Sequence, residues 1–68
     1  MRTAKVKRDR AGQWRYSVHA GNGENIDGSE GYTRRRNAVR AVKLNRPDVR
    51  RIEVYNRSGR LVRTIEVE

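Results

Sequence analysis

A chain of 68 residues with no cysteine and one histidine must hold itself together by apolar burial or by a partner. Disulfides are closed to it, and so is any ordinary zinc site. A domain of this size buries only about 60% of its unfolded surface, so a single core leaves it marginal. A second subunit is the supplement that remains. The apolar share is 34% and the charged share 37%, which keeps the core small. One domain over residues 1–68 is the expectation. No window approaches the run of about 18 apolar residues that a membrane span needs, and the N-terminus lacks an apolar signal core. The chain is expected to be cytoplasmic, with no membrane partner and no small-molecule substrate.

Turn signals divide the sequence. From Thr3 to Arg8, Ala4 and Val6 alternate with Lys5 and Lys7, the pattern of a half-buried strand. Asp9-Arg10-Ala11-Gly12 reads as a turn. Trp14, Tyr16, Val18 and Ala20 then share one strand face, with Arg15, Ser17 and His19 on the other. Gly21-Asn22-Gly23 is a second turn, followed by a weaker strand from Glu24 to about Ser29, anchored by Ile26. These three strands are expected to form an antiparallel meander. The period then lengthens: Ala38, Val39 and Val42 cluster on one side of a helix from Arg34 to Asn45, with Thr33 as its N-cap and Pro47 beyond its end. Its apolar side is expected on the Trp14/Tyr16/Val18 face. Ile52 and Val54, the cluster Asn56-Arg57-Ser58-Gly59, and then Leu61, Ile65 and Val67, expected to share one face interrupted only by Arg63, spell a hairpin over 51–68. A lone hairpin is marginal, so it must add to the meander or pair with another copy. The fold class is α+β, in the order β-β-β-α-β-β.

Seventeen basic residues against eight acidic ones give a net charge of +9. A field of this sign attracts polyanions, and nucleic acid is the first of them. Fourteen of the seventeen are arginine, whose fork holds phosphates bidentately. Catalysis finds little support. His19 has no oriented carboxylate or cysteine in register, and Glu24, Asp27 and Glu30 are explained by turn solvation. No nucleophile elbow, phosphate-binding glycine loop or metal spacing is present. A non-enzymatic protein without cofactor or metal is the expectation.

The segments Trp14-Arg15-Tyr16, Gly21-Asn22-Gly23-Glu24, Ser29-Glu30-Gly31-Tyr32-Thr33 and Asn45-Arg46-Pro47-Asp48 resemble the YegP-like family. These are small bacterial, archaeal and phage domains of largely unknown function. The resemblance covers about residues 3–48. It implies a three-stranded sheet crossed by a helix, found as tandem copies or as a dimer of single copies, and so a homodimer here. Arg34-Arg35-Arg36 and the hairpin from Arg51 onward depart from that pattern. A looser similarity is to the three-stranded DNA-binding domains of phage integrases, which lay an open sheet face in the major groove. A nucleoid-associated or phage-encoded protein in a bacterial host follows from these likenesses.

Two surfaces are candidates for a polyanion. Arg34, Arg35 and Arg36 occupy the first helical turn, where the macrodipole disfavours cations by about 0.3–1 kcal/mol each. Together with Thr33 and the free amides of a helix start they would make a phosphate clamp, continued along the helix by Arg40 and Lys43. Lys5, Lys7 and Arg15 would line the open face of the meander, with Arg8 and Arg10 at its rim. Trp14 and Tyr16 could stack on bases, but their alternation with Val18 assigns them to the core. No ordered set of Asn, Gln and Arg suggests base reading. The expectation is a homodimer holding double-stranded DNA by its phosphates with little sequence preference. RNA, or an acidic protein partner, are the alternatives.

Overall fold

Alternation of apolar and polar residues carries the strands, and one interval of longer period carries the helix. The computed structural model describes residues 2–22, 25–28 and 31–67, the side chains of 25–27 excepted. Along the chain run β1 (Arg2–Arg8), β2 (Trp14–His19), β3 (Asn25–Gly28), α1 (Arg35–Asn45), β4 (Val49–Tyr55) and β5 (Leu61–Glu66). Gly23, Glu24, Ser29 and Glu30, and the side chain of Ile26 expected to anchor β3, lie outside the described residues.

The strands form one sheet in the order β3-β2-β1-β4-β5. β1 pairs antiparallel with β2, setting Ala4 opposite Val18 and Val6 opposite Tyr16. On its other edge β1 pairs parallel with β4, setting Ala4 opposite Ile52 and Val6 opposite Val54. β2 pairs antiparallel with β3 in turn, and β4 with β5, so the sheet is mixed rather than purely antiparallel because the C-terminal hairpin joins the first three strands through the parallel β1–β4 pair. The crossover through α1 returns the chain in the direction of β1, and Ile52 and Val54 supply the apolar register that Ala4 and Val6 need. The result is an α+β fold with β1 at the centre.

α1 lies across β1 and packs on β2 and β4 to either side. Ala38, Ala41 and Val42 meet Ala4, Val6, Tyr16, Val18, Ile52 and Val54 in a core closed by Val49. Fully burying a side chain such as Ile52 or Val6 stabilises the fold by about 1.5–3 kcal/mol. Trp14, expected in that core, is only partly buried at its margin. The lower end is tied by Asp48, whose carboxylate accepts from Arg2 and, at 3.5 Å, from Arg46. The Arg2 guanidinium holds the Asp48 carboxyl below its ordinary range.

The β1–β2 and β4–β5 hairpins close by one device. Asp9 and Asn56 open their turns, and Gly12 and Gly59 end them at φ of 83° and 84°. The Gly12 N–H donates to Asp9 O at 3.1 Å, and the Gly59 N–H to Asn56 O at 3.0 Å. Each side chain then accepts further amides: Asp9 that of Gln13 at 2.9 Å, Asn56 those of Ser58 and Arg60, both at 3.0 Å. This is a three-residue hairpin loop with glycine in the left-handed position.

Two expectations at element ends are corrected. Thr33 does not cap the helix: the cap position is Arg34, in extended backbone, and no side chain caps it. The reason lies one residue earlier, where Tyr32 exchanges backbone hydrogen bonds of 2.7 and 2.8 Å with Trp14 and fixes where the helix starts. Leu61 does not share a face with Ile65. The register with β4 shifts between Val54 and Tyr55, so Arg63 opposes Val54 while Leu61 opposes Tyr55. Val62 is the extra residue of a bulge.

Candidate nucleic-acid interface

The β1–β2 loop, the β4–β5 loop and the start of α1 gather at one end of the sheet, because β1 and β4 run the same way and end there. Arg8 opposes Trp14 in the register, and the Arg35 guanidinium lies 5.6 Å from the centre of the Trp14 ring. Arg35 thus finds on an aromatic face the compensation that a missing acidic cap would have supplied. Arg34, Arg36 and Thr33 are exposed beside it, and Arg10 is exposed on the β1–β2 loop. Arg8, also exposed, donates from Nε to Gly12 O at 3.3 Å.

From this end a groove of about 390 Å³ runs between α1 and β5. One bank carries Arg35, Arg36, Arg40 and Lys43; Arg63 stands on the other, and Val39, Val54, Val62 and Ile65 complete the lining. The groove exists because α1 covers the middle of the sheet and β5 lies beyond its reach. Five cations line it and no carboxylate does. Among the described residues no ion pair engages Arg36, Arg40, Lys43 or Arg63. The sequence already offered Arg36, Arg40 and Lys43 as a clamp at the helix start and its continuation along α1, whereas Arg63 read only as an interruption of its strand. The signal was present: an arginine on the apolar parity of a strand marks a face that its own helix does not cover.

The open face of the sheet differs in balance. Lys5 stands between Ser17 and Glu53, and Lys7 opposes Arg15. Arg15 is bonded to Asp9 at 2.6 Å, and Arg51 to Glu66 at 3.1 Å. The Lys7 ammonium sits 4.9 Å from the centre of the Tyr55 ring, and Tyr55 donates to Glu53 at 3.3 Å. Burial, with the Glu53 charge second, pushes the Tyr55 hydroxyl pKa up. His19 is half-buried, its Nε2 at 2.8 Å from the Ser17 hydroxyl. Among the described residues, four cations on this side face three carboxylates, and two of the four are held in ion pairs.

The family model described as a domain of unknown function, DUF1508, matches residues 9–53, well over half of the sequence. The YegP-like domain is this one. No curated protein and no solved structure matches.

Proposed function

Since the chain belongs to the DUF1508 family of domains of unknown function, its activity has to be read from its own surface, and we propose that it is a small non-enzymatic nucleic-acid-binding protein that holds double-stranded DNA through phosphate contacts. The observation that carries this reading is the groove between α1 and β5, lined by five cations and no carboxylate. Arg36, Arg40 and Lys43 recur at intervals of four and three residues, spanning about 10 Å of helix axis. Duplex DNA presents about six charges over that length. Arg34 at the helix start, and Arg8 and Arg10 on the adjacent loop, extend the positive field toward the same end. The self-paired charges of the open face argue against the sheet-face alternative. With no set of side chains suited to base edges, contacts go to the backbone and sequence preference is weak.

The protein acts in this reading as a homodimer, joined along the edge strand β5. Small size without a cysteine, and the exposure of Leu61 at 46%, support it. Fluorescence anisotropy with duplex DNA and duplex RNA tests the binding. If the dimer engages about six to ten phosphates, affinity falls about 10³–10⁵-fold between 50 and 200 mM salt. The Arg36→Ala/Arg40→Ala/Lys43→Ala variant loses most of the binding, whereas Lys5→Ala/Lys7→Ala keeps it. Salt-insensitive affinity, or the reverse order of the two variants, contradicts the reading; tighter binding of duplex RNA transfers it to RNA.

A further inference from the structure

We propose that the groove between α1 and β5 is also the docking site for an acidic amphipathic helix of another protein, a partner that competes with nucleic acid for the same cations. Phosphate binding explains the banks of the groove and leaves its floor unexplained. Val39, Val62 and Ile65 line the groove together with Arg36 and Arg40 of α1 and Arg63 of β5. Val62 is half exposed, which an edge strand chosen for solubility alone would avoid.

The layering of the fold gives the occupant its shape. α1 sits over β1, and neighbouring strands lie about 4.8 Å apart, so β5 lies two spacings away, about 9.6 Å from the helix axis in projection. Packed helices lie 8–10 Å apart. A second helix laid against α1 therefore comes to rest over β5, on Val62 and Ile65, and completes a two-layer arrangement that one helix leaves half built. A helix in an apolar groove is a common recognition mode, read by anchors at i, i+3, i+4 and i+7.

Charge selects among possible helices. The α1 of a second copy carries Arg35, Arg36, Arg40 and Lys43 and would meet the same cations, a like-charge contact. An incoming helix with leucines on one face and glutamates flanking them meets cations on both sides and an apolar floor beneath. Arg36 and Arg40 would then be withdrawn from DNA, so partner and nucleic acid exclude one another.

The test uses the whole chain and a labelled helical peptide of about 18 residues, long enough to hold helix in water, with leucines in the i, i+3, i+4, i+7 pattern and glutamates on both flanks. Its scrambled isomer and a version with lysine for glutamate are the controls. The patterned peptide is expected to bind, and both controls are not. Val62→Ser, which truncates an exposed side chain, weakens the peptide about fivefold. Unlabelled duplex displaces the peptide. The proposal is overturned if the patterned peptide binds no better than its scramble, or if Val62→Ser leaves it unchanged. No peptide binding together with a Val62→Ser loss in DNA affinity assigns the floor to nucleic acid and overturns it equally. Peptide binding without any duplex binding keeps this docking site and removes the DNA reading instead. Circular dichroism of Val62→Ser checks that the variant is folded.

Discussion

Gly12 and Gly59 each reverse the chain at a φ that costs other L-residues about 1–2 kcal/mol. Each follows an Asp or Asn whose carbonyl accepts the glycine amide and whose side chain takes further amides of the loop. No heavy atom stands near where a Cβ on Gly59 would go, so conformation alone sets the cost of filling that position. Gly59→Ala should destabilise the chain by about 1–2 kcal/mol, offset only in part by a stiffer unfolded state. Urea unfolding with an unchanged m-value checks it, and a cost near zero would mean that the loop relaxes. These turns were legible in the sequence, since an Asx–x–x–Gly cluster between alternating segments has a mechanical meaning. Arg63 was visible as an interruption of β5, yet its consequence was not. The one-residue bulge at Val62, which moves Leu61 off the face of Ile65, leaves no trace in an alternation pattern.

At the scale of elements, α1 is a helix whose start ignores ordinary rules. Its cap is Arg34, its first turn has no acidic residue, and Lys43 is the basic residue of its last turn. Its stability therefore rests on the Ala38, Ala41 and Val42 face, with the Trp14 ring beneath Arg35 easing one of the charges. Arg34→Asp places a carboxylate where it can accept an orphan amide and favour the dipole, for a gain of about 0.5–2 kcal/mol. The same change removes a cation and adds an anion at one end of the groove, so duplex affinity should fall as the melting temperature rises. A simultaneous rise in both would remove the helix start from the proposed interface. The helix itself was readable from its period, to within a residue at either end. Its cap was not, because the Tyr32–Trp14 backbone pairing that decides where the turn begins joins residues eighteen positions apart. The placing of β4 was hidden for a related reason. Ile52 and Val54 alternate identically whether their neighbour runs parallel or antiparallel, and the direction came from the crossover.

For the whole molecule, what decides behaviour is how little core the charge leaves room for. Among the described residues, ten buried side chains, with Tyr16 the one aromatic among them, hold the sheet and its helix. Among the described residues, Arg36, Arg40, Lys43 and Arg63 line one side of that frame with no ion pair, and the pairs Arg15–Asp9 and Arg51–Glu66 lie on the other. Such a molecule gains stability from whatever binds only its folded form, and a second copy does this without any ligand. β5 is the edge that such a copy would use: it ends the strand order, and Leu61 is exposed on it. If the homodimer forms there, the melting temperature rises with protein concentration, by mass action, across about a hundredfold range. A shift of about 1 kcal/mol in stability moves the melting point of a domain this size by roughly 4–8 °C, so the effect is readable by calorimetry. Leu61→Glu sets a charge against its own image across a symmetric contact, where like charges are destabilising. In the isolated monomer that exposed side chain contributes little. The variant should therefore melt like the dilute wild-type protein at every concentration, and light scattering should give it the mass of one chain. A wild-type melting point independent of concentration removes the dimer and leaves the core under α1 to hold the fold unaided.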